Sequence, residues 1–130
     1  MTNVWEKYKF SDVNEESAYS LLQTLNESLI EKTSGVLKTD VEAIDSYYED
    51  KIVALYILYI IVPKIGNFRK KVLTVIEYAE NARFPVDILC HINNEKYTGI
   101  VKDDFSKKIE DILTMPSVQR TIENLYFQGK

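Results

Sequence analysis

Residues 52–62, Ile52-Val53-Ala54-Leu55-Tyr56-Ile57-Leu58-Tyr59-Ile60-Ile61-Val62, carry no charge and constrain the fold more than any other stretch. Two conformations accommodate them. Val41, Ile44, Tyr48, Ile52, Leu55, Tyr59 and Val62 would line one face of a helix, and Thr39 with Glu42 offers it a capping box. Such a helix is apolar on every side, and a chain of 130 residues has little room to bury a helix all round. A strand covered on both faces needs only such a run, and Ile, Val and Tyr fit a pleated surface. The run is also too short to cross a bilayer as a helix. The strand is the preferred reading, and a mostly α fold is the alternative.

A strand at 52–62 organises its neighbours. Residues 36–46 become a first strand, 47–50 a polar turn, 63–67 a second connection and 68–78 a third strand. Residues 84–92 form a fourth, entered through Arg83-Phe84-Pro85, after which Asn93-Asn94-Glu95 turns the chain. Residues 96–101 read as a short fifth strand or only a loop, so the expected sheet is a four-stranded antiparallel meander. Before it, residues 14–33 form an amphipathic helix in which Ala18, Leu21, Leu22, Leu25 and Leu29 recur at three and four. Glu15 and Glu16 favour its first turn and Gly35 stops it. After the sheet, Asp103 caps a helix with Phe105, Ile109, Ile112 and Leu113 on one side, and Thr114 with Pro116 restarts a last helix carrying Val118 and Ile122. The expected class is α+β: an N-terminal helix, the meander and two C-terminal helices, in one domain over residues 1–122.

Three connections, Lys32-Thr33-Ser34-Gly35, Val62-Pro63-Lys64-Ile65-Gly66-Asn67 and Phe84-Pro85-Val86, resemble those of small uncharacterised bacterial α+β proteins over about residues 20–122. These motifs mark turns, so the resemblance implies a fold and no activity. Glu123-Asn124-Leu125-Tyr126-Phe127-Gln128-Gly129 resembles the recognition sequence of the tobacco etch virus protease. That implies a tag remnant over residues 123–130, which is set apart from the functional reading.

With 16 basic and 20 acidic residues the net charge is -4, which argues against a general binder of nucleic-acid phosphates. Residues 1–10 carry Glu6, Lys7 and Lys9 where an export signal needs apolar residues, so a cytoplasmic location is expected. A zinc or iron site needs three or four imidazole or thiolate ligands. The chain has one of each, His91 and Cys90, and no metal or other cofactor is expected. As neighbours on a strand these two point to opposite faces and form no nucleophile–base pair. Glu77 and Glu80 could pair for acid–base chemistry, but they more simply end a strand and turn the chain. Arg69-Lys70-Lys71 after Phe68 invites a nucleic-acid reading, yet consecutive strand residues cannot all face one way, and edge strands carry lysines to prevent pairing. No residue is assigned a catalytic role.

The strongest charge feature is acidic. Between Thr39 and Asp50 stand Asp40, Glu42, Asp45, Glu49 and Asp50, with no basic residue. Alternation sets Asp40 and Glu42 on one side of the first strand and Leu37, Val41 and Ala43 on the other, toward the core. Tyr47 and Tyr48 beside them are of the type enriched at interface cores. A solvated hairpin edge accounts for the same charges, whereas an acidic patch with aromatic anchors matches a basic partner surface. The expected function is a non-enzymatic protein-binding module, most concretely an immunity or antitoxin-type inhibitor that occludes a basic protein such as a toxin. Its contact residues would be Asp40, Glu42, Asp45, Tyr47, Tyr48, Glu49 and Asp50. The alternative is a small-molecule-binding or sensory domain with an apolar pocket lined by tyrosines.

Overall fold

A computed structural model describes residues 17–130. In chain order the elements are α1 (Ala18–Gln23), α2 (Leu25–Thr33), β1 (Lys38–Tyr48), β2 (Lys51–Val62), β3 (Phe68–Tyr78), β4 (Val86–Cys90), β5 (Lys96–Ile100), α3 (Lys102–Leu113) and α4 (Pro116–Gly129). The strands form one antiparallel meander in the order β1-β2-β3-β4-β5. The class is α+β, and the mostly α alternative is corrected: residues 52–62 are extended within β2, paired with β1 on one side and β3 on the other.

β2 is buried on both faces. Leu58, Ile60 and Val62 point toward the helices, where they join Leu73 and Val75 of β3, Phe105 and Ile112 of α3 and Val118 of α4 in one apolar core. Val53, Ile57, Tyr59 and Ile61 point to the opposite face and are buried as well. There Val53, Ile76 and Tyr78 form a smaller cluster, with Tyr48, Leu55 and Leu89 packed against it. Pairing between β2 and β3 slips by one residue, so that Leu58 faces Leu73 and Tyr59 faces Lys71. The extra residue, Val72, enters the helix-side core beside Leu73, as a β-bulge allows.

The sheet has five strands where four were expected. Lys96–Ile100 pairs with β4 through Val86↔Ile100, Ile88↔Tyr97 and Leu89↔Lys96. Only Ile100 in this strand is buried, and Gly99 has φ +67°, so alternation leaves little hydrophobic signal to read. The expected fourth strand, 84–92, narrows to Val86–Cys90. The turn expected at 47–50 narrows to Glu49-Asp50, because Tyr47 and Tyr48 pair with Ile52 and Lys51.

Of the helix expected over 14–33, residues 14–16, with Glu15 and Glu16, lie outside the described residues. Ser17 starts α1 through a capping box with Ser20. The helix then divides at Thr24, whose hydroxyl donates to the Leu21 carbonyl at 2.6 Å and competes with the helical ladder. The cap of α3 is Val101 instead of Asp103, and Asp103 and Asp104 occupy the first turn, where the helix dipole favours acids. Residues 123–129 continue α4: Leu125 is buried in the helix-side core, and Gly129 lies against Val62 where a Cβ would clash.

Glu49 and Asp50 have φ of 51° and 65°, the positive values that a two-residue type I′ hairpin loop demands. L-residues other than glycine bear about 1 kcal/mol or more in that region. Glu49→Asn combined with Asp50→Gly is therefore expected to raise the unfolding free energy by about 1 kcal/mol, read as a higher urea midpoint at unchanged slope. A chain ended after Ile122 is expected to keep the sheet and the first half of α4, to lose the helical circular-dichroism signal of the second half, and to lose about 1.5–3 kcal/mol, the contribution of burying one leucine side chain.

Candidate functional site

β1 forms one edge of the sheet, with β2 as its neighbour. The two-residue turn makes Tyr48↔Lys51 the hydrogen-bonded pair that closes the hairpin, so alternate residues Ser46, Ile44, Glu42 and Asp40 aim their amides at β2. Tyr47, Asp45, Ala43, Val41 and Thr39 aim theirs outward. At one end the Thr39 N–H donates to Asn26 Oδ1 of α2 at 2.9 Å. From Val41 to Tyr47 the outward amides meet no backbone partner among the described residues, and Ala43, Asp45 and Tyr47 are exposed. Tyr47 and Ile52 stand opposite each other across the hairpin, 74% and 61% exposed.

The seven residues expected to meet a partner share this strand and its turn, but not one face. Asp40 and Glu42 are paired with Tyr59 and Ile57 and lie on the face away from the helices. Asp45 and Tyr47 lie on the helix side, beyond the reach of the helices, and Glu49 and Asp50 form the turn. Of the residues expected to face the core, Leu37 is buried, Val41 is half-buried, and Ala43 is exposed.

Glu42 comes within 3.8 Å of Arg69, whose guanidinium sits 4.2 Å above the Tyr59 ring. Glu49 lies 3.8 Å from Lys96, whose ammonium donates to Tyr48 Oη at 3.0 Å. That bond to Tyr48 holds the Lys96 pKa above its ordinary value. Tyr48 thus braces the hairpin against the sheet while Tyr47 stays in solvent. Asp40, Asp45 and Asp50 form no ion pair among the described residues.

The other constellations separate as the chain folds. Cys90 is buried on the helix side, whereas His91 turns away and bonds Thr74 Oγ1 through Nε2 at 2.7 Å. Glu80 pairs with Lys51 at 3.0 Å. Burial, and then the nearby Glu77 carboxylate, drive the Tyr56 pKa up. Glu77 Oε2 is buried with no hydrogen-bond partner among the described residues. Register places Arg69 and Lys71 on one face and Lys70 on the other.

A second feature was not foreseen from the sequence. Between the α1–α2 pair and the α3–α4 pair the helical layer leaves an apolar cleft, in two parts of about 370 and about 450 Å³ that meet at Leu25 and Leu113. Leu58 and Ile60 of β2 floor the larger part. Leucines and isoleucines make the walls, and no tyrosine lines either part, in contrast to the expected tyrosine-lined pocket. The cleft exists because α2 buries none of its residues. Leu25, Ser28, Leu29 and Lys32, spaced three and four apart, form one stripe along it.

The chain matches no family model, no curated protein and no solved structure. The edge and the cleft therefore rest on geometry alone. Among the described residues no three His, Cys, Asp or Glu side chains are grouped to hold a metal ion, and no helix is long and apolar enough to cross a membrane.

His91 gives this region a pH dependence. Burial, and then the charges of Lys71 and Lys70, hold its pKa below the ordinary 6.5. The unfolded chain therefore takes up the proton first as pH falls, so the contribution to stability is full above about pH 6.5 and declines below it toward the lowered folded value. Melting temperatures measured between about pH 7.5 and pH 5.5 are expected to fall, and His91→Gln is expected to flatten that part of the profile.

Proposed function

We propose that the chain is a non-enzymatic protein-binding module that accepts an extended basic segment of a partner along the outer edge of β1. The observation that carries this reading is the exposed Tyr47–Ile52 pair beside a row of outward amides running from Val41 to Tyr47. Strand addition to such an edge takes its affinity from main-chain hydrogen bonds and its specificity from alternate side chains. Tyr47 supplies a large anchor of the type that dominates interface energetics.

Charge selects the occupant. Asp45 and Asp50 flank Tyr47 and lack intramolecular cations among the described residues, so a basic segment gains Coulomb energy there without breaking an existing pair. The same acids oppose pairing of two β1 edges, since self-association brings like charges together. An immunity or antitoxin-type inhibitor that covers a basic surface of a toxin, in the cytoplasm, is the concrete form of this function.

Proline at position 43 tests the mechanism. Ala43 donates outward, so Ala43→Pro removes a docking donor and leaves the β1–β2 ladder intact, a substitution that edge strands tolerate. Peptides of about ten residues selected from a random display library are expected to alternate Lys or Arg with apolar residues and to bind less tightly as salt rises. Such a peptide should slow hydrogen exchange at the amides of Val41, Ala43, Asp45 and Tyr47. Ala43→Pro is expected to weaken it about tenfold or more at unchanged circular dichroism. Protection at another surface, or equal affinity for the proline variant, refutes edge docking.

A further inference from the structure

Beyond the edge of β1, we propose that the cleft between the two helix pairs is a binding site for a single-chain aliphatic carboxylate, its hydrocarbon lying over Leu58 and Ile60 and its anionic head at Lys32. This site lies on the helical side of the sheet and needs no partner protein.

The apolar part of the argument is the lining. A cleft whose parts measure about 370 and about 450 Å³ falls in the range of small-molecule sites, which are mostly apolar with a few placed polar groups. From Leu21 to Lys32 it follows the helical segment for ~16 Å, at 1.5 Å per residue. The lining runs lengthwise between the α1–α2 and α3–α4 pairs, which suits a linear ligand.

The polar part fixes which end carries the head. Three polar side chains line the larger part: Ser28, Thr39 and Lys32. The Ser28 hydroxyl donates to the Leu25 carbonyl at 3.0 Å, and the Thr39 hydroxyl is directed at Asn26 Oδ1 at 3.4 Å. Lys32 has no ion-pair or hydrogen-bond partner among the described residues, so its ammonium is the unspent donor of this part and its one charge. The smaller part is lined by Glu110, an acid that repels a carboxylate, and by no lysine or arginine. A cation on the larger part and an acid on the smaller orient an anionic amphiphile in a single direction. Lys32 also occupies the last turn of α2, so its charge adds to a binding end without opposing the helix dipole.

Titration calorimetry with dodecanoate below its micelle concentration is the direct test, with dodecanol and dodecyltrimethylammonium as controls. Dodecanoate is expected to bind at one per chain and to raise the melting temperature. Lys32→Glu, at an exposed position, should weaken dodecanoate about tenfold or more while leaving dodecanol unchanged. Leu25→Trp, which fills the junction of the two parts, should abolish both. Because a crowded variant can also fail to fold, its circular dichroism is read alongside, and Ser28→Phe serves as a second way to block the larger part.

No heat with dodecanoate overturns the proposal, as does tighter binding of the ammonium amphiphile or equal dodecanoate affinity in the Lys32→Glu protein. Sedimentation showing a dimer that Leu25→Trp dissociates also overturns it, because the cleft is then covered by a second copy. These readouts are independent of Ala43→Pro, so failure of the cleft leaves edge docking untouched, and the reverse holds as well.

Discussion

The two-sided burial of β2 is the constraint to which the other elements answer. Leu58, Ile60 and Val62 require a helical layer on one side, and Val53, Ile57, Tyr59 and Ile61 require cover on the other. Because both faces are apolar, β2 cannot specify its own register: a slip of one residue would exchange one apolar set for another. Register is imposed by neighbours. The Glu49-Asp50 turn fixes β1 against β2, and the Val72 bulge fixes β3, by placing Lys71 opposite Tyr59 and Leu73 opposite Leu58. That dependence gives a reason for a strained two-residue loop to persist in place of an easier, longer one.

The same register decides what the edge presents. Even-numbered residues of β1 turn to the face of Tyr59 and Ile57, and odd-numbered ones to the helix side. Asp40 and Glu42 therefore part from Asp45, and Tyr48 from Tyr47. Tyr48 is held by Lys96 and by packing on Val53 and Tyr78, a bracing role, whereas Tyr47 remains available to a partner. The acidic segment acts less as a flat patch than as a charged ridge with the strand edge along its crest.

How much of this was legible in the sequence depends on whether a signal is local. The 52–62 run identified β2 because its length and its Ile, Val and Tyr content left a buried strand as the economical solution, and α3 was readable from Phe105, Ile109 and Ile112 at helical spacing. β5 was ambiguous since Lys96, Thr98 and Gly99 are exposed and only its pairing with β4 makes it a strand. The break at Thr24 depends on a side-chain hydrogen bond that competes with the helix, which periodicity does not register. Asp45 was expected in one contact patch with Asp40 and Glu42, whereas the β1–β2 register sets it on the opposite face. The pairing of Tyr47 with Ile52 became visible only once the turn was known to hold two residues instead of four. The cleft had no sequence signal, because it arises from the spacing between two helix pairs, each of which looks ordinarily amphipathic alone.

α2 shows why such a cleft is compatible with a stable sheet. It buries none of its residues and is held to β1 by a few polar contacts: Asn26 Oδ1 accepts from the Thr39 N–H, and Thr33 Oγ1 accepts from the Leu37 N–H at 3.1 Å. Segments with little buried apolar surface open at a fraction of the global unfolding free energy. Displacing α2 by the width of a hydrocarbon chain therefore disturbs half-buried leucines and leaves the pairs Leu58↔Leu73 and Ile60↔Lys70 beneath them in place. Stability concentrates in β2 and its neighbours while adaptability concentrates in α2, and that division lets one small chain offer both an edge and a cleft without either weakening the core.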